Sequence, residues 1–435
     1  MCAAVTRVYV IAPGRIKCDF APRRFRWSEN AVHRRANVTK DLVVVLGIAA
    51  AIPLLLGLFP RVTVPGELVE IVAGVVIGPS ALAWAHPDEV IRALAVFGLS
   101  FLLFLGGFEV DVRCFRGVAG RHVLLTVAGS AVLAIGVGLA SALIDVRGGL
   151  LVAISLLATW TSPVIETLTN AGVLQRRVGV LAVACASAGT MAGVLAMSIS
   201  VAGSPTPLAG RIVLLGLLVV LLAVIGGMVM GAQHIGRVNV LVNYLADTSA
   251  QIRIRLTVLL VAGVAFLALR LGFEAVLGAF LAGVLVRTLD PEPQVSHPHY
   301  PIKLKAVGFG LLIPVFFITS GMTLDITGLG QDPRALIGVP VLIVALLIVR
   351  GLPTLSLRHE FPFREIPAAA LLQATSLPFP LTVAQVGVRM ELMGRATASA
   401  LILAAVVSVL VFPLLARRLL TRIPRTAHLD PRHNR

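Results

Sequence analysis

Thirteen apolar blocks, each about as long as a bilayer core is thick, constrain this chain more than any other feature. They fall at 41–59, 66–84, 92–110, 121–145, 149–170, 178–202 and 210–231, and then at 255–272, 274–289, 307–326, 336–356, 366–388 and 394–416. Roughly 20 apolar residues carry a helix across a hydrocarbon core. A backbone in lipid must also satisfy its own hydrogen bonds, which leaves helices or closed barrels. The blocks therefore predict an all-α polytopic membrane protein of about 13 transmembrane helices. With 57% apolar and 13% charged residues, the chain has too little charge to cover a soluble surface. The least sharp boundary is LRLGFEA (269–275), where the eighth block is split from the ninth.

The formal charge of +16 resides in loops and tails between the blocks. There it reads as flanking charge beside an anionic membrane lipid surface, not as a nucleic-acid interface. With an odd number of spans the termini face opposite sides. Fourteen Lys/Arg, from Arg61 to Arg364, lie on the loops of the C-terminal side, against seven, from Arg92 to Arg395, on the other. The bias predicts an integral protein of the plasma (cytoplasmic) membrane with a cytoplasmic C-terminus. The first 40 residues hold nine Lys/Arg and no apolar core followed by a small-residue cleavage site, so no cleaved signal peptide is expected. Residues 1–40 are expected to be a basic, disordered tail or an over-extended start of the reading frame. Four scattered cysteines, Cys2, Cys18, Cys114 and Cys185, give no metal site and no disulfide framework. No cofactor is expected, and no nucleophile–base set suggests an enzyme.

The chain repeats itself. LAVFGLSFLLFLGGFEVD (94–111) aligns with FGLLIPVFFITSGMTLD (309–325) at an offset of 214, placing Gly107 on Gly321 and Asp111 on Asp325. The same offset sets Thr161-Ser162 on Thr375-Ser376, and Gly179 falls on Gly394 with one residue of slippage. The spans sort into a first repeat of six (41–202), a linker span and loop (203–254), a second repeat of six (255–416) and a basic tail (417–435). The odd linker span turns the second repeat upside down. Inverted repeats are a signature of secondary transporters.

Within the repeats, TSP and TSLPFP interrupt the fifth and twelfth spans at Pro163 and Pro378. Proline removes a backbone donor and clashes with the preceding turn. Such gaps persist at membrane depth only where protein or water covers them. Two breaks in matched inverted positions point to a substrate site at the midplane.

These stretches, with ELVEIVAGVVIGPSAL (67–82), TSPVIETLTNAGVL (161–174) and VLGAFLAGVLV (276–286), resemble the monovalent cation:proton antiporter-2 family of Kef- and Nap-like sodium or potassium/proton exchangers. The resemblance covers nearly the whole chain after residue 40. It implies a homodimer in which a core domain with crossing broken helices slides against a six-helix panel. It also implies an Asp-Asp or Asn-Asp pair on the sixth span, whose second acid binds cation and proton in turn. Aligned from Gly179, that pair falls on Gly189-Thr190, inside ACASAGT (184–190), and there is no Asp or Glu between Glu166 and Asp247.

Candidate ion or substrate residues are therefore Thr161, Ser162, Ser187, Gly189, Thr190, Thr375 and Ser376, the amides of Gln373 and Gln385, and Glu166. Glu166 reads either as a relocated ion site or as a polar residue reaching cytoplasmic water. Arg350 matches a basic residue that the family often places before the second broken helix. It reads either as a partner for site groups or as a side chain snorkelling to the interface. Expected function is exchange of Na⁺ or K⁺ for protons by alternating access. The alternatives are carriage of an anion or neutral solute on the same scaffold, or a non-transporting membrane subunit or sensor.

Overall fold

A computed structural model describes residues 29–58, 65–110, 117–143, 148–201, 207–233, 251–289, 299–324 and 333–421. In chain order the helices are α1 (Glu29–Leu58), α2 (Gly66–Ile77), α3 (Glu89–Phe108), α4 (Gly117–Leu143), α5 (Gly149–Ser155), α6 (Thr161–Asn170), α7 (Arg177–Ser200) and α8 (Leu208–Gln233). There follow α9 (Ile252–Arg270), α10 (Ala275–Leu289) and α11 (His299–Met322), the last carrying a π turn at Gly308–Leu312. Then α12 (Pro333–Leu346) runs through a π turn at Leu347–Gly351 into a 3-10 stretch, Leu352–His359. The chain continues through α13 (Ile366–Gln373), α14 (Pro378–Arg389) and α15 (Arg395–Thr421). The described residues form no strand, so the all-α expectation holds.

Ten helical runs among the described residues are long and apolar enough to cross a membrane, with α13 and α14 counted as one. The three other predicted blocks hold shorter helices: α2, the α5–α6 pair, and α10. The second block was expected to run to 84, but α2 stops at Ile77 because Pro79 bars Gly78 from helical geometry. The uncertain split at 269–275 is real: Gly272, at φ +85°, turns the chain out of α9. At the other end, α1 begins at Glu29, inside the stretch expected to be a tail, while residues 1–28 lie outside the described residues. So do Asp111, Asp325 and the tail after 421.

The glycines aligned by the 214-residue offset lie at close helix contacts. A Cβ on Gly107 of α3 would run into the Phe280 carbonyl of α10, and one on Gly283 of α10 into the Phe104 carbonyl of α3. Likewise Gly321 of α11 abuts the Ile71 carbonyl of α2, and Gly74 of α2 the Ile318 carbonyl of α11. The two aligned glycines thus perform the same service, letting backbones touch where apolar burial alone cannot drive association in lipid. α2 packs on α11, and α3 packs on both α10 and α11, so α2, α3, α10 and α11 form one unit. On the other side, α4 packs on α5 and α7, and α15 packs on α12, α13 and α14. Phe101, Phe104, Phe280, Phe316 and Phe317 fill the largest core cluster. By contrast, α1 and α8 expose apolar side chains such as Leu54 and Val213, as lipid-facing helices do.

Candidate functional site

The fifth span breaks between Ser155 and Thr161, and the twelfth between Gln373 and Pro378. The two gaps cross. Trp160 N–H donates to the Thr375 carbonyl at 2.8 Å, and the Thr159 hydroxyl donates to the Gln373 carbonyl. The Ser376 N–H finds the Ser408 hydroxyl of α15 at 3.2 Å. Thr190 of α7 donates to the Thr159 carbonyl at 2.6 Å. Backbone groups freed by the prolines are thus taken up by each other and by hydroxyls, as water-free burial demands.

Arg350 lies at the centre of this network and is fully buried. Its Nε donates to Thr159 Oγ1 at 2.9 Å and its Nη1 to Ser130 Oγ of α4 at 3.2 Å. Its Nη2 reaches the Cys185 carbonyl at 3.0 Å and Gln373 Oε1 at 2.7 Å. Gln373 is held in turn by its Nε2 donating to the Ala182 carbonyl of α7 at 2.7 Å. The π turn at Leu347–Gly351 aims Arg350 inward, a common use of such a turn at functional positions. All four acceptors are neutral, so the guanidinium brings an uncompensated positive charge to the crossing.

Gly189 makes this possible. A Cβ there would stand 2.5 Å from Arg350 Cζ, 2.6 Å from Nη1 and closer still to Nη2. The guanidinium lies flat on the bare helix surface, which also opens the Cys185 carbonyl one turn back.

Beside the crossing is a cavity of about 460 Å³, its open mouth included. Leu102 and Leu105 of α3, Glu109 directly after it, and Phe309 of α11 line one wall. Thr159, Trp160, Thr161, Ser162, Thr190, Ser376, Pro378 and Phe379 line the other. Thr159 both lines the cavity and binds Arg350, so one hydroxyl separates the guanidinium from the cavity.

Residues 47–422 match the family model described as sodium/hydrogen exchanger, transmembrane. The chain belongs to this family. It is 29% identical over 403 residues to the putative Na(+)/H(+) antiporter YjbQ of Bacillus subtilis, covering 88% of this chain and 63% of that protein. It is 23% identical over 288 residues to the Na(+)/H(+)-K(+) antiporter GerN of Bacillus cereus, covering 65% and 72% respectively. Among solved structures it is similar to the sodium proton antiporter MjNhaP1 from Methanocaldococcus jannaschii. That match has a TM-score of 0.65 and 14% identity, over 89% of this chain and 99% of the other. The chain spans 63% of the length of the Bacillus subtilis relative and 42% of the Arabidopsis thaliana Cation/H(+) antiporter 19.

Within this exchanger fold, the sequence-expected residues separate into groups. Thr161, Ser162, Thr190, Ser376 and Pro378 line the cavity, and Gly189 and Gln373 touch Arg350. Thr375 is buried, its carbonyl taken by Trp160, and Pro163 is buried in the first turn of α6. Ser187 is buried on α7 with no hydrogen-bond partner for its hydroxyl, and Gln385 instead donates to Ser320 at 2.7 Å. Glu166 is exposed and is not among the residues lining the cavity. Arg350 does not snorkel; it turns inward. Sequence reasoning missed Thr159, Ser130 and Glu109. Thr159 had a signal, since the 214-residue offset pairs it with Gln373.

Proposed function

We propose that the protein is a secondary active transporter that exchanges a monovalent cation, Na⁺ or K⁺, for protons by alternating access. The observation that carries this is the cavity between two helix units, floored by crossing breaks and lined by apolar side chains together with five hydroxyl residues and one carboxylate, on a chain of this family. Oxygen ligands of this kind suit a partly dehydrated monovalent cation. Because α3 and α11 line one wall while the breaks and α7 line the other, sliding one unit against the other re-opens the same floor on the opposite side. In this reading the protein works in the plasma membrane as a homodimer with a cytoplasmic C-terminus. The family's acid on α7 is absent, and the carboxylate on the cavity wall is offered from α3 instead.

A second reading has an observation of its own. The Arg350 guanidinium, one hydroxyl from the cavity, has only neutral partners. A cation about 8 Å from such a charge is repelled by on the order of 2 kcal/mol at an effective dielectric of about 20. The same charge favours an anion or a dipolar neutral solute on the same scaffold. Proteoliposomes loaded with a pH dye separate the two. Proton movement driven by Na⁺, K⁺ or Li⁺ supports exchange. Silence with all three cations, together with uptake of a labelled anion, overturns it in favour of the second reading.

A further inference from the structure

Glu109 follows the last turn of α3, its N–H bonded to the Leu105 carbonyl at 3.0 Å. The side chain is only 13% exposed, and it lies on the cavity wall facing the unit that carries Ser162, Thr190 and Ser376. Among the described residues lining the cavity it is the only ionisable one. The Ser376 hydroxyl in the opposite wall is buried with no hydrogen-bond partner. What meets Glu109 is Lys305 Nζ at 3.4 Å, from a side chain 52% exposed on α11, three residues before the π turn that presents Phe309 to the cavity.

An ammonium is a monovalent cation on a tether. Lys305 occupies, on the carboxylate of Glu109, a position that Na⁺ or K⁺ could take. A half-exposed ammonium is weakly held, since pairs of this kind are worth little and are readily exchanged with water and salt. The carboxylate is largely buried and keeps its place when the lysine leaves. The hydroxyl residues across the cavity, Ser162 and Ser376 among them, offer the neutral hard oxygens that a partly dehydrated alkali ion needs in addition to one negative charge. Cation and lysine therefore contend for one carboxylate.

We infer that Glu109 is the cation-binding carboxylate of this protein, displaced from α7 to α3, and that Lys305 is a tethered competitor that holds the site when no ion is bound. The inference deepens the exchange reading and rests on it for the identity of the ion. Binding is measurable without transport, which keeps the two separable.

The test is equilibrium binding of ²²Na⁺ and ⁸⁶Rb⁺ to the purified full-length protein in detergent, with choline as the ionic-strength control. Wild type is expected to bind at least one ion saturably, and Glu109→Gln to lose that binding. Glu109→Asp, which keeps the charge, is expected to retain weakened binding and guards against loss through misfolding. Lys305→Met, which removes the competitor, is expected to lower the apparent Kd about threefold, the weight of releasing a partly exposed ion pair. Saturable binding that survives Glu109→Gln unchanged overturns the assignment, as does a wild type that binds neither ion. An unchanged or weakened Kd in Lys305→Met overturns the competitor role. Binding that behaves as expected without any proton flux in vesicles leaves this site standing and removes the exchange reading.

Discussion

Substituting the glycine beneath Arg350 probes the centre of the structure. In Gly189→Ala the new Cβ would stand 2.5 Å from Arg350 Cζ, whereas carbon atoms in good contact sit about 3.5 to 4.0 Å apart. The guanidinium must retreat by about 1 Å. Its Nη2 bonds, now 2.7 Å to Gln373 Oε1 and 3.0 Å to the Cys185 carbonyl, would bend and stretch, to at most about 3.7 and 4.0 Å, weakening both. Each charge-assisted bond is worth about 1.5–3 kcal/mol. Allowing for partial recovery elsewhere, the loss is about 3 kcal/mol, within the range for overpacked or unsatisfied cores. For 435 residues the unfolding entropy is about 0.9 kcal/mol/K, so the melting temperature falls by about 3 °C. Thermal unfolding in detergent reads this directly, and a double-mutant cycle isolates its cause. In an Arg350→Met background the flexible thioether yields to the new methyl, and Gly189→Ala is expected to lose most of its cost. A neutral Gly189→Ala, or one equally costly in both backgrounds, would refute the packing of the guanidinium on the bare glycine.

Other perturbations follow from the same contacts. Gln373→Ala strips Arg350 of one acceptor and the Ala182 carbonyl of a donor. It is expected to lower stability by about 2–3 kcal/mol, measured by thermal unfolding, since a buried donor left unpaired bears its full desolvation cost. Gly107→Ala and Gly321→Ala each drive a methyl into a facing backbone carbonyl, at Phe280 and Ile71. Both are expected to cost about 1–3 kcal/mol or more, and by similar amounts, because they occupy matched places in the two repeats; a large inequality between them would argue against that equivalence. Glu166→Gln alters an exposed carboxylate outside the cavity lining and is expected to leave the cation KM and the transport rate unchanged in vesicles.

Much of the architecture was legible because lipid simplifies the code. Apolar length placed most of the helices, while the first break lies at 156–160, ahead of Pro163, which sits in the first turn of α6. Where the blocks failed, local chemistry prevailed: Pro79 ended α2 early, although the apolar run continues past it. The 214-residue offset was also readable, and its glycines proved to be the places where backbones meet. The destination of Arg350 was not readable. Snorkelling and burial differ only in whether acceptors wait inside, and those acceptors, Ser130, Thr159, Cys185 and Gln373, come from four separate segments. Gly189 illustrates the same limit from the other side. As a residue in a neutral helix it marks only the lack of an acid, whereas in three dimensions it is the bed on which a charge lies. Glu109 passed unnoticed because it sits at the end of an apolar block, where a carboxylate ordinarily reaches water. Only the fold shows that the end of α3 opens onto the cavity.

Cation-driven proton flux, compared between wild type and Glu109→Gln in the same vesicles, addresses the central claim most directly. Addition of Na⁺ or K⁺ outside wild-type vesicles is expected to move protons against it, saturably, and the Glu109→Gln vesicles are expected to show none. Undiminished flux in Glu109→Gln, or a wild type that moves no protons with any alkali cation, would contradict exchange through this cavity.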